Sequence, residues 1–498
     1  MEKKEIQRNI VASFVMQFVA LANGLILPKI ILTYFGSDVN GLISSVNQFL
    51  NYVSLLEAGL GGVIMASLYK PLYEKDIDKI NQIVSAAQVF FKIIGVIALI
   101  YSIILAFVYP KFVDTGFSYP ESILIICVLG GVFFFQYFFA ISYKLLLFAD
   151  RKVYVVSLSQ ALITLFSLVS AIVIAKIYPS IIIIKTVSGV IFLLQPSIFA
   201  LFIKRYYPFI HRVKYSKDTI KNKWDGMGIN IAAFIHNNTD IVILTFFCSL
   251  ADVSVYAIHL MIINAIKSLL QAISGAIVPS LGKVIAKGNQ DEINIAFDEY
   301  SYFIALIVTI GFSCTFVLLT PFVSLYTANI TDTNYYHPIF ALLLTMSEFI
   351  YCFREPYISV TYAAGKYKEI SKYAYIEAIL NITISLVLVR NYKFIGVVIG
   401  TIIAMGTRML FHMMYLKDNI IYRSLKKSLA SLFLFGFSSI LIYIFGIHVG
   451  LNHTISYIEW IAKSAIVFVF SMFITILISL PLYRNLFIKI YKSVFKRL

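Results

Sequence analysis

The chain has 498 residues, of which 60% are hydrophobic and 13% charged, and its mean hydropathy is +0.86. Soluble domains carry about a quarter charged residues, so this composition excludes a water-soluble globular fold and makes hydrocarbon the main solvent. The net charge of +16 raises the question of nucleic acid, which the placement of that charge answers below.

A short basic lead over residues 1–9 precedes an apolar run at 10–34 that has no small-residue cleavage site, so it predicts an uncleaved first span rather than a signal peptide. Further runs follow at 40–68, 84–108, 121–145, 153–175 and 181–203. After the polar stretch 204–225 come 226–248, 252–281, 299–322, 337–362, 370–389 and 394–416, and finally 428–448 and 458–482. Each is near the roughly 20 residues that a helix needs to cross about 30 Å of hydrocarbon. Only helices satisfy their own backbone in such runs, so the chain is predicted to be an all-α, polytopic membrane helix bundle of about fourteen transmembrane helices. The four cysteines, Cys127, Cys248, Cys314 and Cys352, lie in or beside apolar runs without metal or paired spacing, and no metal site is expected.

With alternate loops assigned to opposite sides, 31 of the 41 Lys and Arg lie in or at the edges of loops on the side of the N-terminus. The other side holds Lys111, Lys176, Arg390 and Lys393. The positive-inside rule therefore places both termini in the cytoplasm. Charge spread over loop edges orients a membrane protein and does not form a basic domain, so nucleic acid is excluded as a partner. A pump driven by ATP is excluded too, because the pair Gly282-Lys283 lacks the upstream glycine spacing and the following Ser or Thr of a phosphate-cradling loop. No outward loop is long enough to carry an enzyme's catalytic domain.

The two halves repeat each other. Ile31-Leu32-Thr33-Tyr34-Phe35-Gly36-Ser37 matches Ile243-Leu244-Thr245-Phe246-Phe247-Cys248-Ser249, and Ser54-Leu55-Leu56-Glu57-Ala58 matches Ser268-Leu269-Leu270-Gln271-Ala272. Gly61 matches Gly275, and Asp78-Lys79-Ile80-Asn81 matches Asp291-Glu292-Ile293-Asn294, at an offset of 212 to 214 throughout. Six spans, an even number, separate the copies, so two six-helix lobes should be related by a pseudo-twofold along the membrane normal. The expected organisation is an N-terminal lobe over 1–203, a cytoplasmic linker over 204–225, a second lobe over 226–416, and two additional helices with a basic tail over 417–498.

Six plus six plus two spans resembles the multidrug/oligosaccharidyl-lipid/polysaccharide exporter superfamily, and within it the Wzx-type repeat-unit flippases. The pieces carrying the resemblance are Thr239-Asp240-Ile241-Val242-Ile243-Leu244 with Val255-Tyr256, Ala363-Ala364-Gly365-Lys366-Tyr367-Lys368, Glu377-Ala378-Ile379-Leu380-Asn381, and Ile395-Gly396-Val397-Val398-Ile399-Gly400-Thr401. The resemblance implies alternating-access transport of undecaprenyl-pyrophosphate-linked oligosaccharides across a bacterial cytoplasmic membrane, for capsule or O-antigen, beside a polymerase and a chain-length regulator. An ion-coupled drug antiporter and a lipid II flippase of the same superfamily are the alternatives, since fold does not fix substrate.

Charges inside spans mark candidate site residues, because each costs about 2.5 to 3.5 kcal/mol without a partner or a wet cavity. Lys29, Lys267, Arg354 and Arg408 are the cations expected to hold a pyrophosphate or acidic sugar. Glu57, Asp240, Glu348, Glu355 and Glu377 are the carboxylates open to coupling with H+ or Na+, and no other cofactor is expected. Asn264, Lys267, Gln271 and Ser274 recur at helical spacing, as do Asn51 with its neighbours Asn40, Asn47 and Ser54, and Asn237 with Asp240. The same residues serve equally in structural pairs, for instance Lys29 with Asp240 or Lys267 with Glu57.

Overall fold

The computed structural model describes residues 2–57, 59–215, 227–421, 424–451, 454 and 456–495. The second part of the linker expected over 204–225 lies outside the described residues. Among the described residues sixteen α-helices follow one another: α1 Glu2–Asn51, α2 Leu60–Glu74, α3 Ile77–Phe112, α4 Tyr119–Phe135, α5 Ile141–Ala149, α6 Val153–Ile177, α7 Ile181–Phe192, α8 Leu194–Tyr206, α9 Met227–Phe247, α10 Leu250–Lys287, α11 Gln290–Tyr326, α12 Pro338–Phe353, α13 Glu355–Ala363, α14 Tyr367–Asn419, α15 Leu425–His448 and α16 Tyr457–Phe495.

Ten stretches among the described residues are long and apolar enough to cross a membrane. Two of them, Lys4–Leu56 and Lys368–Asn419, hold two predicted spans each. They are joined through kinks rather than loops, at Gly36 with φ 83° in α1 and at Lys393 with φ 49° in α14. The seventh predicted span is α9, and the tenth is α12 with α13. The span expected at 40–68 is not one helix. It leaves the α-helix after Asn51, makes a 3-10 turn over Tyr52–Leu56, and restarts at α2 behind Gly59, whose φ of 86° closes the way to a side chain.

The chain divides into two compact units, Met1–Ser254 and Val255–Leu498. In the first, α1 lies along α6, and α3 packs on α4. Phe91, Ile94 and Ala98 of α3 are buried with Leu146 and Leu147 of α5 and Phe199 of α8 in one apolar cluster. Gly41 of α1 sits so close to the first turn of α10 that an added Cβ would lie 1.8 Å from the Leu250 carbonyl oxygen. Around this approach Asn40 donates to Ser254 at 2.8 Å, and Ser45 bonds Thr245 and the Tyr109 hydroxyl.

In the second unit α11 is the hub. The two C-terminal helices α15 and α16 pack on it through Val317, Leu318, Ile442 and Val467, and the Trp460 indole donates to the Leu318 carbonyl at 3.1 Å.

Hydrogen bonds of the two units repeat at the same offset as the sequence. After α5 the amides of Asp150, Arg151 and Lys152 donate to Leu146, Phe148 and Leu147. After α13 those of Ala364, Gly365 and Lys366 donate to Val360, Tyr362 and Thr361, each position 214 later. The left-handed residue of this turn is Arg151 (φ 60°) in one unit and Gly365 (φ 72°) in the other. Likewise Asp76 caps α3 and Asn289 caps α11, 213 positions on, each accepting from amides of the first turn.

Candidate functional site

The second unit concentrates charge at a broken helix. Pro356 has no N–H to donate, and its ring crowds the carbonyl four residues back. The helix of the tenth span therefore yields at Arg354 and restarts as α13. Around that break three cations meet three carboxylates.

Lys267 of α10 donates from Nζ to Oε2 of Glu348 on α12 at 2.7 Å. Its ammonium also lies 3.8 Å from the centre of the Tyr351 ring, while the Arg354 guanidinium lies 4.9 Å from the same ring. Arg354 Nη1 donates to Oε2 of Glu377 on α14 at 3.2 Å, and Arg408, one helical hairpin further along α14, donates to the same oxygen. Neither Lys267, Glu348, Arg354, Glu377 nor Arg408 exposes more than 8% of its side chain. Glu355 accepts from Ser359 at 2.8 Å and Ser274 at 3.4 Å. Removing one member of such a buried set strands an opposite charge in a low dielectric, which costs about 3 to 5 kcal/mol.

Polar neighbours extend the set. Arg408 Nε donates to His412 Nε2 at 3.3 Å, so the neutral ring must carry its proton on Nδ1. Among the described residues, that Nδ1, with Arg354 Nε and Asn381 Oδ1, has no hydrogen-bond partner although buried. Asn381 Nδ2 donates to Thr401 at 2.8 Å across the kinked α14. The opposite face of α12 meets an apolar cavity of about 430 Å³ bounded by Leu342, Met346 and Ile350 together with Phe316, Met409 and Tyr443. One helix thus presents charge on one side and a grease-lined space on the other.

Of the sequence-predicted residues, Lys267, Arg354, Arg408, Glu348, Glu355 and Glu377 are brought together. Lys267 takes Glu348 as its ion-pair partner, where the sequence alone offered Glu57. The stripe on α10 splits: Lys267 and Ser274 are buried, whereas Asn264 and Gln271 are exposed. Residues at i and i+7 of a helix nearly superimpose, and the two pairs stand about 60° apart. Lys29, Asn51, Glu57 and Asp240 belong to the first unit. Asp240 is buried, Lys29 and Asn51 are half-buried, and Asn51 donates to Gln48 at 3.5 Å. Glu57, at the restart before α2, accepts from the Tyr137 hydroxyl. The side chain of Asn237 lies outside the described residues. His412 escaped the sequence reading, although its position four residues after Arg408 puts both on one face of α14.

No family model matches the sequence, and no curated protein does. Solved structures do match in fold. A lipid II flippase, MurJ, in an inward closed conformation aligns with a TM-score of 0.68 and 15% identity over 96% of this chain and 99% of that one. An inward-facing multidrug resistance MATE transporter of the MOP superfamily gives 0.65 and 14% over 85% and 99%. The MATE multidrug transporter DinF-BH gives 0.61 and 15% over 84% and 96%. At these identities the likeness is one of architecture: the chain has the polytopic helical fold of MOP-superfamily flippases and transporters.

Proposed function

We propose that the protein carries undecaprenyl-pyrophosphate-linked oligosaccharides from the cytoplasmic to the outer leaflet of a bacterial cytoplasmic membrane by alternating access, with both termini in the cytoplasm. The observation that carries this reading is the group of three cations, Lys267, Arg354 and Arg408, held at membrane depth beside a broken helix. Arg354 and Arg408 share the Glu377 carboxylate, and Glu355 lies close enough to Arg354 for its charge to be felt there. A diphosphate can compete with Glu377 for both guanidiniums, each of which presents a planar fork suited to phosphate oxygens. The apolar cavity on the far face of α12 suits a polyisoprenoid segment, which neither a soluble nucleotide sugar nor a hydrophilic drug requires. A lipid II flippase as a fold neighbour over nearly the whole chain supports a lipid-linked cargo. A polymerase and a chain-length regulator are the partners that such a cargo implies.

An ion-coupled antiporter is the second reading, favoured by Glu355, which pairs with the Ser359 and Ser274 hydroxyls at 2.8 and 3.4 Å and forms no ion pair within 4 Å among the described residues.

The test separates contact with cargo from structural pairing. In cells lacking the gene, undecaprenyl-linked oligosaccharide should accumulate and surface polysaccharide should fall. Lys267→Ala should deplete the protein by stranding Glu348. Lys267→Met combined with Glu348→Gln should restore membrane abundance but not export. Full export by the double variant would assign Lys267 to structure alone. Unchanged polysaccharide with lost drug or ion exchange in the deletion strain would replace the flippase by the antiporter.

A further inference from the structure

We propose that the first unit holds a separate binding site for a compact oxyanion, a phosphate or carboxylate group, in the pocket beside the break of its fourth span. The break here is a π turn over Gln136–Ala140, in which the Ile141 amide reaches back to the Gln136 carbonyl. In an uninterrupted α-helix, residues eight apart stand about 80° apart. One extra residue in the turn removes about 100° of rotation and brings Gln136 and Lys144 onto one face.

Both side chains border a pocket of about 90 Å³, and Gln160 of α6 and Gln195 of α8 reach it from the other walls, with Phe135 and Phe192 beside them. Among the described residues, none of the three carboxamides makes a hydrogen bond, and Lys144 forms no ion pair. Its ammonium lies 5.6 Å from the Phe148 ring, and the carboxylate whose charge reaches it, Glu57, already accepts from Tyr137. Gln160 lies seven residues into its helix and Gln195 eleven from the end of its own, hence about 10 to 17 Å from the ends that carry the basic loops. Gln136 is exposed and Lys144, Gln160 and Gln195 are half-buried, so their polar groups stay open to a ligand that enters the pocket. One ammonium and three N–H2 groups converging on one space, with aromatic walls lowering the dielectric, match a ligand that has negative charge and several acceptor oxygens. Metal cations are opposed by Lys144, and an apolar ligand would leave the amides unmet.

This site does not depend on the transport reading, and it is tested on purified full-length protein. In nanodiscs of phosphatidylcholine, 10 mM phosphate or glucuronate should raise the thermal unfolding midpoint by several degrees over chloride of equal ionic strength. Lys144→Ala and Gln195→Leu should each abolish the rise, and Lys144→Arg should keep part of it. If Lys144→Ala fails to fold, Gln160→Leu and Gln195→Leu carry the test. Native mass spectrometry from phosphatidylglycerol nanodiscs then distinguishes the source. One lipid retained by the wild type and lost in Gln195→Leu identifies a phospholipid headgroup; a response to soluble anions without retained lipid identifies a phosphate or acidic sugar. A midpoint indifferent to every anion with no lipid retained, or variants that respond as the wild type does, would overturn the proposal.

Discussion

The fourth span of each half breaks at the same place and for different reasons. In the first unit the break is a π turn ending at Ala140, with no proline. In the second it falls at Arg354, 214 positions later, where Pro356 enforces it. Tyr137 and Tyr351 also correspond at that offset, yet the first donates its hydroxyl to Glu57 while the second offers its ring to two cations. The shared element is the interruption; the chemistry at it belongs to each half separately. A break that survives without its proline in one unit is held by packing, as Gly95 of α3 shows, where an added Cβ would meet the Phe138 backbone nitrogen at 3.1 Å.

The comparison can be broken most severely at Glu377. Its removal leaves Arg354 and Arg408 facing each other, so Glu377→Ala should lower stability by about 3 to 5 kcal/mol, read as loss of folded protein in membranes. Glu57→Ala, at the corresponding break of the first unit, should cost well under half as much, because it strands a hydroxyl rather than two guanidiniums. Equal losses would mean that the charge asymmetry carries no energetic weight.

Pro356→Ala sharpens the question of cause. A buried α-helix gains up to about 3 kcal/mol when an interior proline is replaced, but only if the helix can straighten. Packing-held bending predicts a gain below about 1 kcal/mol, and amides of residues 352–358 that still exchange faster with deuterium than those of mid-α12. A large gain with full protection would make the proline the sole cause, and the resemblance to the π turn coincidental.

The smallest effect lies at the caps. Asn289→Ala should cost about 1 kcal/mol at every pH. Asp76 is held below the usual carboxylate range, first by the Lys79 backbone amide and then by the Lys79 side chain. A depressed pKa means that its contribution is present above the unfolded value and is lost as pH falls through the folded one. Exchange at the start of α3 should therefore quicken on acidification below about pH 4, and Asp76→Asn should remove that sensitivity. Persistence of the acid effect in Asp76→Asn would locate it elsewhere.

The apolar helical spans were legible because hydropathy is a local property of the sequence, and the buried charges of the second unit stood out because charge inside an apolar run is costly. Partners were not. Lys267 finds Glu348 across 81 positions, and helical spacing on α10 cannot say which neighbouring helix meets that face. Two interruptions were missed for a related reason: Gly59 and the π turn lie inside apolar runs whose hydropathy stays high whatever the backbone does, whereas Gly36 falls between two runs. His412 needed only the four-residue step from Arg408, but a histidine in a methionine-rich run gives no signal until the arginine is known to be buried.

The turn that ends the fourth span in both units has a further consequence. Glycine occupies its left-handed position at 365 without strain, whereas Arg151 takes the same conformation despite its side chain. Three amides still find the same three carbonyls on either side of the linker. Kinship between the halves is therefore better preserved as a wiring diagram than as spelling. A comparison of bonds rather than letters aligns these two turns where a comparison of residues does not.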